Sequence, residues 1–215
     1  MAAYDDFLPY VLPDVPGCAE IVAIQAIRNA AIDFCEKSCV VQVDLDPVTL
    51  IAGSADYDLE PPSGTLVTKV MKLFYKNKEL PHFGQDYVPS ATYYNAAAIG
   101  ADESSTPVTW SQKDTKTFTV FPAPGERESG AITIRAALKP TRASESCDDI
   151  LFEDYAEYIA AGAKARLMIV PNKAYTNPNL VATQNQFFLQ GVNVARQRAA
   201  RGHTRANLRV KLVRI

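Results

Sequence analysis

DDILFEDYAEYIAAGAKARLMIV (148–170), PNKAYTNPN (171–179) and LVATQNQFFLQGVNVARQRAARG (180–202) together decide the fold. The first run has acids in its opening turns and Lys164 and Arg166 towards its end, the polarity a helix dipole favours, so a helix is expected from Asp148 to about Val170. Pro171 ends it. Asn177 followed by Pro178 is a start signal, because Asn can cap and Pro is tolerated in the first turn, and the second helix is expected to reach Gly202. Two helices joined by so short a turn pack antiparallel, with Ala156, Ala160 and Ala163 offering a close-approach face.

Outward from this hairpin, CAEIVAIQAIRNAAIDFCEK holds helix formers throughout, and Ile21, Ile24, Ile27 or Arg28, Ala31 and Cys35 recur at three-to-four-residue spacing. A helix is expected over 17–38, with Ala23, Ala26, Ala30 and Ala31 letting another helix come close. Residues 1–16 carry Phe7, Pro9, Tyr10, Pro13 and Pro16, which argues for an extended lead-in and against a helix.

Between the helices the pattern changes to period two. CVVQVDL (39–45) and TLIA (49–52) read as strands, and in SADYDLE the acids Asp56, Asp58 and Glu60 share one face while Tyr57 and Leu59 share the other. Those acids resemble a calcium loop only superficially, since the required glycine is missing and Pro61 and Pro62 follow. TLVTKVMKLFYKNKEL reads as a long strand ending in a hairpin around Lys76, Asn77 and Lys78. Residues 81–106 read as an extended excursion at the sheet edge. VTW (108–110) and KTFTVF (116–121) resume the strand signal, and AITIRAAL (131–138), with Ile132, Ile134, Ala136 and Leu138 on one face, is expected to form a hairpin with KTFTVF. The expected architecture is α+β: a three-helix core, made of the first helix and the C-terminal helix hairpin, with a mostly antiparallel β insertion and an extended C-terminal arm. It reads as one domain over 1–215, divided into helix 17–38, β insertion 39–140, helix hairpin 148–202 and arm 203–215.

A chain of 215 residues with 47% hydrophobic content can bury a real core. Its apolar runs fall short of the roughly 20 residues a membrane span needs, and MAAYDDFLPY is acidic where a secretory signal is basic, so a cytoplasmic setting with no membrane partner is expected. Cys18, Cys35, Cys39 and Cys147 lack paired C-x-x-C spacing and read as reduced thiols partly packed in the core. The net charge of −2 hides a split: after Glu157 the chain has ten Lys or Arg and no acid, while the first 157 residues hold all 24 acids against 12 bases. Such a split suits head-to-tail self-association or a polyanion, unless folding neutralises it internally.

No P-loop, dinucleotide, H-E-x-x-H or G-x-S-x-G motif is present, and His82 and His203 are the two histidines. Asp148, Asp149, Glu153 and Asp154 read as helix-start acids. No catalytic residue, metal ligand or cofactor is assigned. Arg196, Arg198, Arg201, Arg205, Arg209, Lys211 and Arg214 could neutralise phosphates, but they sit in no recognisable nucleic-acid module and lack interleaved aromatics. In the tail, Leu208, Val210, Leu212 and Ile215 alternate with Arg209, Lys211 and Arg214, a strip suited either to adding a strand to a partner's sheet or to completing the protein's own.

The order of segments resembles the adaptor, or tail tubular, proteins that sit beneath the portal of tailed bacteriophages. The likeness is carried by PGCAEIVAIQAIRNAAIDFCEKS with YDLEPPSGTLVTKVMKLFYKNKEL, by TFTVFPAPGERESGAITIRAALKPT, and above all by LFEDYAEYIAAGAKARLMIVPNKAYTNPNLVATQNQFFLQGVNVARQRAARG. These cover about two-thirds of the chain; residues 81–106 have no counterpart. The resemblance implies a structural, non-enzymatic virion subunit of the head–tail neck, assembled in the bacterial host cytoplasm. It implies a homo-oligomeric ring, roughly twelvefold, that docks on the portal protein, meets a tail or neck protein and passes genomic DNA without reading its sequence. It also implies a C-terminal arm reaching the portal, and assigns Arg205, Leu208, Arg209, Val210, Lys211, Leu212, Arg214 and Ile215 to portal or neighbour-subunit contact. The alternatives are another neck, tail-tube or tail-completion protein, and then a nucleic-acid-binding module.

Overall fold

A computed structural model describes residues 1–82, 106–112 and 114–202. In chain order the elements are β1 (Ala2–Ala3), α1 (Leu8–Val11), α2 (Glu20–Ser38), β2 (Gln42–Leu50), β3 (Asp56–Asp58), β4 (Thr65–Tyr75), β5 (Lys78–Glu79), β6 (Thr109–Gln112), β7 (Thr117–Phe121), β8 (Glu128–Pro140), β9 (Ser146–Cys147), α3 (Asp149–Glu153), α4 (Ala156–Met168) and α5 (Pro178–Arg201). The fold is α+β, and the chain divides into a helical unit, Met1–Val41 with Arg142 onwards, and a β unit, Gln42–Thr141. The arm 203–215 and most of the 81–106 excursion lie outside the described residues.

In the helical unit α4 is the central element. Ala156, Ile159, Ala160, Ala161, Gly162, Ala163, Ala165, Leu167 and Met168 are all buried, so this helix is covered on every side. Small side chains make that possible, because α2 brings Ala23, Ala26 and Ala30 and α5 brings Gly191 and Ala195 to buried positions of their own. The fit between α4 and α5 is reciprocal. A Cβ on Gly162 would lie 2.5 Å from the Phe188 ring, and a Cβ on Gly191 would lie 2.2 Å from Cγ and 2.5 Å from Cβ of Tyr158. Each helix therefore inserts an aromatic ring where the other has no side chain. Phe188 is 1% exposed and also meets Phe34 of α2 edge-on at 5.9 Å, burial worth roughly 1.5–3 kcal/mol.

Three expectations for this unit need correction. The segment Tyr4–Asp14 is a series of helical turns and not an extended lead-in, with Tyr4, Phe7, Val11 and Val15 buried. Pro9 and Pro13 stand in the first turns of Leu8–Val11 and Leu12–Asp14, where proline loses no helical hydrogen bond. The expected 148–170 helix is broken between α3 and α4: Tyr155 leaves helical geometry (φ −133°) and buries its ring 5.2 Å from Phe34. Asp148 caps α3 by accepting from the Ile150 amide at 3.0 Å. Asn177 makes no side-chain cap for α5; its amide instead donates to the Met168 carbonyl at 3.0 Å, closing the turn between α4 and α5.

In the β unit every paired strand is antiparallel, in two sheets ordered β2-β8-β4-β5 and β3-β7-β6. The central β8 buries Ile132, Ile134, Ala136 and Leu138, the face read from the sequence. Its partners differ from the expectation. β7 pairs with β3 and β6, so KTFTVF and AITIRAAL belong to different sheets and form no hairpin. Period-two alternation sets which face of a strand is buried, not which strand lies beside it. Residues 39–45 and 49–52 likewise resolve differently: Cys39 ends α2 in the left-handed region (φ 53°), and one strand, β2, absorbs Pro47 at a register shift between Leu45 and Val48. Lys76 and Asn77 both take positive φ in the β4–β5 hairpin, the geometry of a two-residue turn.

Substituting Gly162→Ala or Gly191→Ala should destabilise the protein by about 1–3 kcal/mol through overpacking, less the ~1 kcal/mol that alanine returns as a better helix former. Gly191→Ala should cost more, because the Cβ of Tyr158, anchored to its helix, must move. Thermal unfolding monitored at 222 nm checks the order; an unchanged midpoint for both would contradict the interlock.

Candidate functional site

Reactive groups among the described residues are few. No group of three or more His, Cys, Asp or Glu is placed there to hold a metal ion. All four cysteines are reduced. Burial, with Asp148 and Asp149 nearby, pushes Cys147 up to about 12, and burial also raises Cys35. Such thiols stay protonated at neutral pH and make poor nucleophiles. His82 is exposed and lies edge-on to Trp110 at 4.7 Å, while the Trp110 indole donates to the Leu80 carbonyl at 3.1 Å. His203 lies outside the described residues.

Four described bases of the acid-free C-terminal stretch are engaged within the helical unit. Lys164 pairs with Asp14 at 2.7 Å, Arg166 with Asp33 at 2.8 Å and Arg198 with Asp154 at 2.7 Å. Arg196 donates through Nε and Nη2 to the Lys37 carbonyl near the C-terminal end of α2, at 3.1 and 2.8 Å. Folding thus neutralises part of the charge split. Arg205, Arg209, Lys211 and Arg214, together with Leu208, Val210, Leu212 and Ile215, all lie outside the described residues, so none of the eight sequence-assigned contact residues has a described position.

Two surfaces among the described residues stand out. The first is the outer face of α5, a helix that buries only Phe188, Gly191, Val192 and Ala195 of its 24 residues. Leu180, Phe187 and Val194 recur every seven residues and so share one stripe, at 43%, 37% and 47% exposure. Tyr158 half-covers Phe187, with ring centroids 4.7 Å apart. Between Lys173 and Arg196 there is no charged residue at all; beside Pro178, Ala182 and Leu189, the remaining exposed positions of the helix in this run are Asn, Gln and Thr. Solvent-facing helices ordinarily carry charge, whereas the centre of a protein interface is depleted of it. Covering the three apolar side chains would contribute about 1 kcal/mol each, half of a full burial. The sequence signals this face through a charge-free run of 22 residues and a seven-residue apolar repeat, a weaker mark than the basic residues beyond it.

The second surface is a cleft of about 270 Å³ in the β unit, between Leu45–Thr49 of β2 and the 57–60 stretch that begins in β3. Leu45, Leu59 and Ile134 are its buried floor, and Asp46, Asp58 and Glu60 stand exposed around it. Asp44, just before it, is held by Arg135 through two hydrogen bonds of 2.7 and 2.8 Å, which lower its carboxyl below the usual range.

Neither surface brings together a nucleophile, a base and an orienting group among the described residues. A family model described as SU10 adaptor protein matches residues 4–210. The chain belongs to the SU10 adaptor protein family. That family is one of phage head-to-tail adaptors, in keeping with the resemblance read from the three quoted stretches. No curated protein matches the chain. No helix among the adaptor's described residues is long and apolar enough to cross a membrane.

Thiol burial gives a direct check on the adaptor's helical unit. At pH 8 a thiol reagent should modify Cys18 and Cys39, which are partly accessible, well before Cys35 and Cys147, and all four together in denaturant. Rapid modification of all four in the native protein would contradict the burial described.

Proposed function

We propose that this adaptor is a structural, non-catalytic subunit of the virion neck, forming a ring of about twelve copies that docks on the portal, surrounds the DNA passage and offers its other side to a tail or neck protein. The observation that carries the reading is the family match, which spans all but a few residues at each end. The charge-free outer face of α5 supports it, because a lone soluble subunit has no use for an exposed apolar stripe lacking charge. On this reading Leu180, Phe187 and Val194 meet a neighbouring subunit. The segment 203–215 supplies the remaining contacts, with Arg205, Arg209, Lys211 and Arg214 on its polar side and Leu208, Val210, Leu212 and Ile215 on its apolar side, against the portal or a neighbouring copy. DNA passes without sequence readout, since no nucleic-acid recognition motif is present.

Co-sedimentation of the purified protein with purified portal tests this. The intact chain should travel with the portal, and deletion of residues 203–215 should abolish docking while the unfolding midpoint stays put. Unchanged portal binding after the deletion would contradict the role given to the tail.

Leu180→Asp with Val194→Asp should weaken association between portal-bound copies by at least about tenfold, the loss of roughly 1.4 kcal/mol or more. Both positions are exposed, so monomer stability should shift by no more than about 0.5 kcal/mol. Wild-type association of that double variant would remove α5 from the subunit contact.

A further inference from the structure

We infer that the acid-edged cleft of the β unit receives the basic and apolar C-terminal strip of another copy of the chain, as a short added strand. The inference rests on the adaptor reading for the existence of neighbouring copies, and names a contact that reading leaves open.

Three properties of the cleft select the occupant. Its walls come from two strands that lie at sheet edges among the described residues, where β2 pairs with β8 and β3 with β7. An edge strand offers unpaired backbone groups to an extended segment. The floor is apolar, with Leu45, Leu59 and Ile134 buried and Val48 half-buried. The border is anionic, and Asp46, Asp58 and Glu60 hold no ion pair among the described residues. The chain between Lys37 and Lys69 contains five acids and no base.

The strip is the complement in each respect. Leu208, Val210 and Leu212 fall on one face of an extended segment, and Arg209 and Lys211 on the other, with no acid anywhere after Glu157. The walls are four to five residues long; five residues of strand, Leu208 to Leu212, span about 17 Å. Pro47, in the middle of the β2 wall, removes one backbone donor there, so hydrogen bonds to β2 are confined to the residues on either side of it. Each copy carries one cleft and one strip, so donation from copy to copy around a rotation axis matches every cleft with a strip.

The test uses full-length chains. A labelled peptide with the sequence HTRANLRVKLVRI is titrated, by fluorescence anisotropy, into the full chain carrying Arg209→Glu, Lys211→Glu and Arg214→Glu, whose own strip is repelled from the cleft. Saturable binding is expected, weakened at least about tenfold when Asp58→Lys and Glu60→Lys are added, and weakened by raised salt. No binding, or an affinity indifferent to the cleft lysines, overturns the inference, as does a peptide that binds duplex DNA and not the protein. This readout involves no portal, so its failure is separate from any failure to dock. A mixing experiment then assigns the donor. At high concentration, chains with the reversed strip and chains with the reversed cleft should each stay monomeric alone and should pair weakly, short of a closed ring, when mixed, measured by sedimentation velocity. If mixing restores nothing while one chain carrying both reversals behaves as wild type, the strip fills its own chain's cleft and the inference is wrong.

Discussion

Phe188 can enter the face of α4 only because residue 162 has no side chain, and Tyr158 can enter α5 only because residue 191 has none. The rest of the helical unit depends on that reciprocal fit. It draws α5 close enough for Arg198 to reach Asp154 and for Arg196 to hold the Lys37 carbonyl near the end of α2. It also settles which side of α5 is left facing outward. A 24-residue helix anchored along so narrow a buried stripe presents most of its surface to whatever comes next, and that surface carries no charge from Pro178 to Ala195.

Charge is distributed with the same economy. Three of the ten bases after Glu157 lie opposite acids of the earlier chain inside the helical unit, where Asp14, Asp33 and Asp154 receive Lys164, Arg166 and Arg198. These pairs are partly exposed and individually worth little, about 0–1 kcal/mol each. Their importance lies elsewhere: with those bases engaged, the basic residues of 203–215 become the remaining concentrated positive feature of the C-terminal stretch, and the anionic border of the β-unit cleft its counterpart. An unlike pair of surfaces on one chain favours heterologous association, which closes into rings when the rotation allows.

The three main helices were legible because small residues at helical spacing, Ala156, Ala160 and Ala163 against Ala23, Ala26 and Ala30, admit few other readings. So was the buried face of β8. The break at Tyr155 was not, since nothing local forbids a helix there; the ring leaves the helix to pack on Phe34, a tertiary preference. The N-terminal turns were not legible because proline disrupts a helix interior, whereas Pro9 and Pro13 occupy the first turn, where a helix accepts it. Strand partners failed for a deeper reason, as alternation in KTFTVF is equally satisfied beside AITIRAAL or beside TWSQ. Of the proposed interaction surfaces, the tail strip and the charge-free heptad repeat of α5 are visible in the sequence, whereas the cleft requires two strands separated in sequence to be placed side by side.

The central claim is that this chain becomes a ring when it meets a portal. Electron microscopy of purified portal, with and without the protein, measures that directly. A closed ring of about twelve added subunits on one end of the portal, with the protein alone not forming it, is the expected image. Portals that remain bare at saturating protein, or a protein that stacks into tubes without them, would contradict the account.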